Sequence, residues 1–336
     1  MHKKAAIEMQ FNWLFVLIIG AIILLLVGSL LFKQKEVSTQ SKNALLTRNL
    51  DAILSGADAS LNTVSVITLP QSKIEFQCDE YRVGTFSRKM EVMHVFTPTT
   101  LEGNKLITQT LEWSLPFRIT NIVYLTSPAY RYMVIGQNQL AQEAFMLFPN
   151  ETFTERSDSL GSVKSRGEQK IRLIFFDDSV ANNKVVPIAF AKMADKDVTA
   201  LKASGTLDNG DIEFFGKKGD RFVSLQSTSY FRKETLFGAM ITDSPSLYVC
   251  TMENLFQKLG IVAEVYKIRT QQLIASYTQA GNKCSELRAS AYSTAAIDIL
   301  QKARFAKDYF SPLSSATSQL QRQNDQAQKQ SCATIY

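Results

Sequence analysis

The chain has 336 residues, 45% of them hydrophobic, with four cysteines and a formal net charge of +6. That length and apolar content exclude a disordered polypeptide and suffice for one sizeable core or two smaller ones. Acidic and basic residues are mixed along the chain and form no basic run, so nucleic acid is not an expected partner.

Residues 1–8 are short and basic, a cytoplasmic N-terminus in this reading. Residues 9–32, MQFNWLFVLIIGAIILLLVGSLLF, carry no charge. Crossing a ~30 Å hydrocarbon core takes about 20 apolar residues, whereas the apolar region of a cleaved signal peptide runs only ~7–15. The stretch therefore predicts a single-pass transmembrane signal anchor, with the lipid bilayer as partner. Trp13 near its start and Lys33 and Lys35 beyond Phe32 supply interfacial flanks. The flanking charges nearly balance, so orientation rests on other signals. The four cysteines Cys78, Cys250, Cys284 and Cys332 include no CxxC pair and suit an oxidising compartment. The sequon Asn150-Glu151-Thr152 follows a proline and reads as a surface loop open to glycosylation. Together they place the N-terminus inside and the bulk of the chain outside the cell membrane.

Within residues 33–70, Leu46, Leu50, Ile53, Ala57, Leu61 and Val64 recur at spacings of four, three, four, four and three, one face of a juxtamembrane helix. Gly56 and Pro70 weaken and end it. Such a stripe either docks on the chain's own domain or pairs copies into a homo-oligomer, and docking is the favoured expectation.

Residues 71–247 read as an α/β layered domain with a mainly parallel sheet and some antiparallel additions. Strand-like runs fall at 73–77, 91–96, 119–125, 132–135, 170–176, 198–202 and 212–215, with helix-like stretches at 104–114 and 137–148. Runs such as IRLIFF are almost continuously apolar, the pattern of a parallel strand buried on both faces. Residues 208–211 and 216–220 carry hairpin-turn chemistry. In an open α/β sheet, ligands favour the crevice beyond the carboxyl ends of the strands. That rule nominates Thr126 and Ser127 after NIVYL, and Asp177 and Asp178 after IRLIFF, where paired carboxylates could help hold a hard cation.

No GxxxxGK[ST], GxGxxG or GxSxG occurs, and only two histidines, His2 and His94, are present. Phosphate loops, nucleophile elbows, histidine zinc sites and Ser-His-Asp triads are therefore without a sequence signature, and no catalytic residue, metal or cofactor is assigned.

Residues 248–336 form a C-terminal helical region of three stretches, about 251–278, 286–308 and 313–331, the first broken by a turn at 280–284. At 1.5 Å per residue the second and third span about 34 and 29 Å, so they return to the same end and bring Cys284 to Cys332. Cys250 is left near the α/β domain, where Cys78 closes the strand IEFQC. The expected disulfides are Cys78 with Cys250 and Cys284 with Cys332.

Two resemblances add to this reading. The basic start Lys3-Lys4-Ala5-Ala6-Ile7-Glu8 ahead of an apolar helix resembles the class III signal peptides of type IV pilins and archaeal pilin-like proteins. That resemblance implies processing next to Ala5 or Ala6, with Glu8 matching the family's glutamate, although Glu8 would stand at the second or third mature position where the family has it at the fifth. An uncleaved anchor is the competing reading. The segments IEFQCDEYRVG, LEWSLPFRITNIVYLTSP and SLYVCTMENLFQKLGIVAEVYKIRTQQL, with the N-terminal stretch, are similar to a group of uncharacterised single-pass membrane proteins of archaea, which implies an envelope location and no particular activity. The expectation is a membrane-anchored extracytoplasmic protein, non-enzymatic, that binds other envelope proteins or assembles at the cell surface in a pilin-like manner. The alternative is a tethered hydrolase or ligand-binding protein using the α/β crevice.

Overall fold

The computed structural model describes residues 3–92, 94–159, 161, 164, 170–176, 185–281, 284 and 291–336, with side chains left aside at 3–15, 30–33, 35–42 and 291–293. Helix α1 (Lys3–Ala59) is followed by β1 (Val64–Phe76), β2 (Glu80–Val83), β3 (Phe86–Lys89), β4 (Val95–Phe96), β5 (Thr100–Ser114), β6 (Arg118–Thr126) and β7 (Tyr130–Ile135). Then come α2 (Gln139–Phe145), β8 (Phe153–Ser157), β9 (Lys170–Phe175), β10 (Val198–Gly205), β11 (Asn209–Lys218) and β12 (Arg221–Phe231). The described chain closes with α3 (Lys233–Ile241), α4 (Pro245–Gln279), α5 (Ala291–Gln301) and α6 (Phe310–Lys329).

The class is mixed α/β, but two sheets of six strands stand where one mainly parallel sheet is expected. The first, ordered β3-β2-β1-β5-β6-β4, is antiparallel except for the β4–β6 pair. The second, β12-β11-β10-β9-β7-β8, is antiparallel through β10 and parallel from β10 to β8. The misreading has a physical cause. A continuous apolar run reports burial on both faces, and β6 achieves that in an antiparallel setting because α1 packs against it and so do α3 and α4.

The expected transmembrane anchor is also corrected. Among the described residues, no helix is long and apolar enough to cross a membrane. Residues 9–32 instead belong to the 57-residue α1, which runs on without a break to Ala59.

Helix α1 docks by its other end. Leu46, Leu50 and Leu54 are buried in the core, with Ile53 and Ala57 packed beside them. Leu61 and Val64, beyond the helix end, are exposed. Two bonds fix the seam: Tyr81 Oη donates to Thr47 O at 2.8 Å and to Asp51 Oδ1 at 2.6 Å. The apolar stripe thus meets the chain's own first sheet.

Helix α3 lies between the two sheets. The Phe237 ring is tilted against Tyr124 of β6 with centroids 4.6 Å apart, and Tyr248 at the start of α4 lies 5.5 Å from Phe96 of β4 and 5.7 Å from Phe214 of β11. Gly238 makes this closeness possible, since a Cβ there would come 2.5 Å from the Phe96 ring. The carboxyl end of α3 is closed by a buried cation from the second sheet. Arg172 of β9 is fully buried and donates to the carbonyls of Ala239 at 3.0 Å, Thr242 at 2.6 Å and Ala200 at 3.2 Å. A guanidinium here satisfies carbonyls that the last helical turn leaves without partners.

Ser244 caps α4 and Pro245 occupies its first turn. Helix α5 returns along α4, with Lys267 of α4 bonded to Asp298 at 2.9 Å and Gln301 at 3.0 Å. Helix α4 ends at Gly281, whose φ of 58° an L side chain adopts only with strain. Cys78 pairs with Cys250, Cα atoms 5.7 Å apart, and Cys284 with Cys332 at 5.8 Å. The first bridge ties the end of β1 to α4, and the second ties the turn after α4 to the end of α6.

Candidate functional site

Of the residues nominated for a crevice, Thr126 and Ser127 are described. Thr126 is buried with its hydroxyl 2.6 Å from Tyr132 Oη, and Ser127 is buried in the β6–β7 turn, its Oγ accepting from Ala129 N at 3.3 Å. Both groups are spent on the fold. Tyr130, just past this turn, pairs with Lys170, whereas Ile135 pairs with Phe175 at the other end of the same strands. The turn and the carboxyl end of β9 are therefore separated by the length of a strand, about 17 Å. Asp177 and Asp178 lie outside the described residues, as do the side chains of Ala5, Ala6 and Glu8 within the start of α1. Among the described residues no group of histidine, cysteine, aspartate and glutamate is arranged to hold a metal ion. Asn150 is exposed after α2, and the sequon's Thr152 hydroxyl donates to Pro149 O at 2.7 Å.

A cavity rich in charged residues lies at the seam of the two sheets, at the amino ends of β7 and β9. It has a volume of about 630 Å³ and draws Lys73, Thr99 and Glu102 from the first sheet, Lys170 from β9, Lys192, Lys196 and Asp197 from the segment before β10, and Asp243 from the α3–α4 junction. Asp243 is held firmly: its carboxylate accepts from Thr99 N at 2.8 Å, Thr99 Oγ1 at 3.2 Å and Tyr130 Oη at 3.3 Å. Burial first, and the Asp243 charge second, hold the Tyr130 phenol well above its ordinary range, so it stays protonated and serves as a donor.

The lysine-bearing segment is clamped from behind. Lys217 of β11, with only 3% of its side chain exposed, donates to Met193 O at 2.9 Å and to Asp195 Oδ1 at 2.8 Å, and Gly219 N donates to the same carboxylate at 3.2 Å. These bonds pull the Asp195 carboxyl below its usual range, chiefly through Lys217. Lys170 pairs with Glu102 at 3.7 Å and lies 5.4 Å over the Tyr130 ring.

Two exposed apolar surfaces stand out among the described residues. On α1, Val16, Leu17, Ile18, Ile19, Ile22, Ile23, and residues 24–27 are all exposed, around the whole circumference of the helix. On α4, Ile261, Val265 and Ile268 follow at spacings of four and three and remain exposed beside a groove formed with Gln301 and Phe305.

Sequence reasoning missed Arg172, Lys217 and the lysine cavity. A single charge inside an apolar strand, as in KIRLIF, was the available signal for Arg172. The cavity had none, because its residues come from six separate segments. The chain matches no family model, no curated protein and no solved structure at a significant level.

Proposed function

We propose that this is a non-enzymatic extracytoplasmic protein, braced by two disulfides, that assembles with copies of itself through α1. The observation that carries the reading is the apolar segment Val16 to Val27 of that helix. A helix that is apolar all round is stable only when it is covered on every side. The same helix buries side chains against its own domain only from Leu46 onward among the described residues. Its amino-terminal part is therefore left for neighbours on several sides, as a bundle of like helices provides and a single partner does not.

Other features support the parts of this proposal. The paired cysteines Cys78–Cys250 and Cys284–Cys332 suit an oxidising compartment, and the exposed Asn150 is open to a glycosylating host. The apolar strip on α4 is a surface of the kind binding proteins carry. Assembly by the amino-terminal helix also agrees with the pilin-like character of residues 3–8, and with an envelope location.

The test places a benzophenone amino acid at Leu24 of the full chain and irradiates it in native-host cells. A crosslinked species of twice the chain mass is expected. Adducts with lipid alone, or with no partner at all, would overturn assembly through α1.

A further inference from the structure

We infer that the lysine-lined cavity at the sheet seam binds a small anionic sugar, a sugar acid or sugar phosphate, with Lys192 and Lys196 holding its acidic group. The inference stands apart from assembly through α1, because cavity and helix share no residue.

The size fits. A volume of about 630 Å³ lies within the range of ~300–1,000 Å³ usual for small-molecule sites. The walls are also preformed: Asp195 ties the Lys192–Asp197 segment to Lys217 and Gly219, and Asp243 is locked by Thr99 and Tyr130. No ordering of this segment is then needed on binding, which removes a cost that flexible sites carry.

The charges select the ligand. Lys73 is engaged with Glu75 at 2.6 Å and Lys170 with Glu102, whereas Lys192 and Lys196 are exposed and make no ion pair among the described residues. These two ammonium groups can hold a carboxylate or phosphate. A bare anion would also meet the carboxylates of Asp197, Asp243 and Glu102 in the same lining and be repelled. A ligand that also brings hydroxyl donors turns those same carboxylates into acceptors.

Titration calorimetry on the full chain, with glucuronate, glucose 6-phosphate, glucose, inorganic phosphate and glutamate as probes, decides the matter. One or both anionic sugars should bind, glucose should not, and raising the salt from 20 to 500 mM should weaken binding by shrinking the Debye length. Lys192→Ala/Lys196→Ala should weaken binding at least tenfold, while Lys105→Ala/Lys329→Ala, on exposed positions elsewhere, should leave it unchanged. Because Lys192 and Lys196 are exposed, the double variant should keep the parent's melting temperature. Glucose binding as tightly as glucuronate, phosphate matching glucose 6-phosphate, glutamate exceeding both sugars, no binding by any probe, or a double variant of parental affinity would each overturn the assignment.

Discussion

His94 shows how one residue sets a response of the whole fold. Burial, reinforced by the charge of Lys258, lowers its pKa to about 4, and its Nδ1 is buried without a hydrogen-bond partner. Between pH ~6.5 and about 4 the unfolded chain binds a proton here that the folded chain refuses. Stability contributed by the neutral imidazole is therefore intact above pH ~6.5 and lost as pH falls, by on the order of 3 kcal/mol. Urea titrations at pH 7 and pH 4 should show a smaller acid loss in His94→Gln than in the parent; an equal loss would mean that His94 is not the sensor. Gly238 is the steric counterpart. Its replacement by alanine drives a methyl group into the Phe96 ring, and overpacking of this kind costs ~1–3 kcal/mol. A lowered urea midpoint with an unchanged m-value is the expected result. Neither role was legible in the sequence, since His94 reads as one more residue of a strand and Gly238 as one glycine in an apolar run. Their consequences depend on elements from distant parts of the chain.

At the scale of elements, most strand and helix patterns read correctly and β5 did not. The helical face at Leu46, Leu50, Ile53 and Ala57 was plain, and so were the segments that became β6, β7, β9, β10 and β11. Helix α4 begins earlier than its apolar face suggests, at the Ser244-Pro245 start signal. The main error is β5. Leu106, Ile107, Thr110 and Leu111 mimic a helical face, yet β5 is a central strand paired with β1 on one side and β6 on the other. The β-branched residues Ile107, Thr108 and Thr110 were the opposing signal, and pairing on both edges decided for them. The C-terminal helices depend on their bridge. Cys284→Ser/Cys332→Ser frees the end of α6 from the turn after α4, and the loss is expected at ~2–4 kcal/mol. Thermal melting of the double variant beside the oxidised parent measures it, and equal melting temperatures would show that packing by Leu313, Ala316 and Leu320 suffices.

At the scale of the molecule, α3 between the sheets joins the layers into one core that runs from Leu46 of α1 to Ile335 near the carboxyl end. Arg172 belongs to this level. Its desolvation lowers the guanidinium pKa to about 10, and Asp243 acts in the opposite direction, so the cation that closes α3 is coupled to the carboxylate that faces the seam cavity. The sequence by itself determined the mixed α/β class, the amino-terminal and carboxyl-terminal helices, the hairpin turns and the cysteine pairing, because these follow from local periodicity, turn chemistry and helix length. Only the tertiary structure decided that there are two sheets, that most strand pairs in the first are antiparallel, that Thr126 and Ser127 are buried, and that four lysines and three carboxylates share one cavity. The reason is physical: a residue's burial is written into its local pattern, whereas the identity and direction of what covers it depend on partners tens to hundreds of residues away.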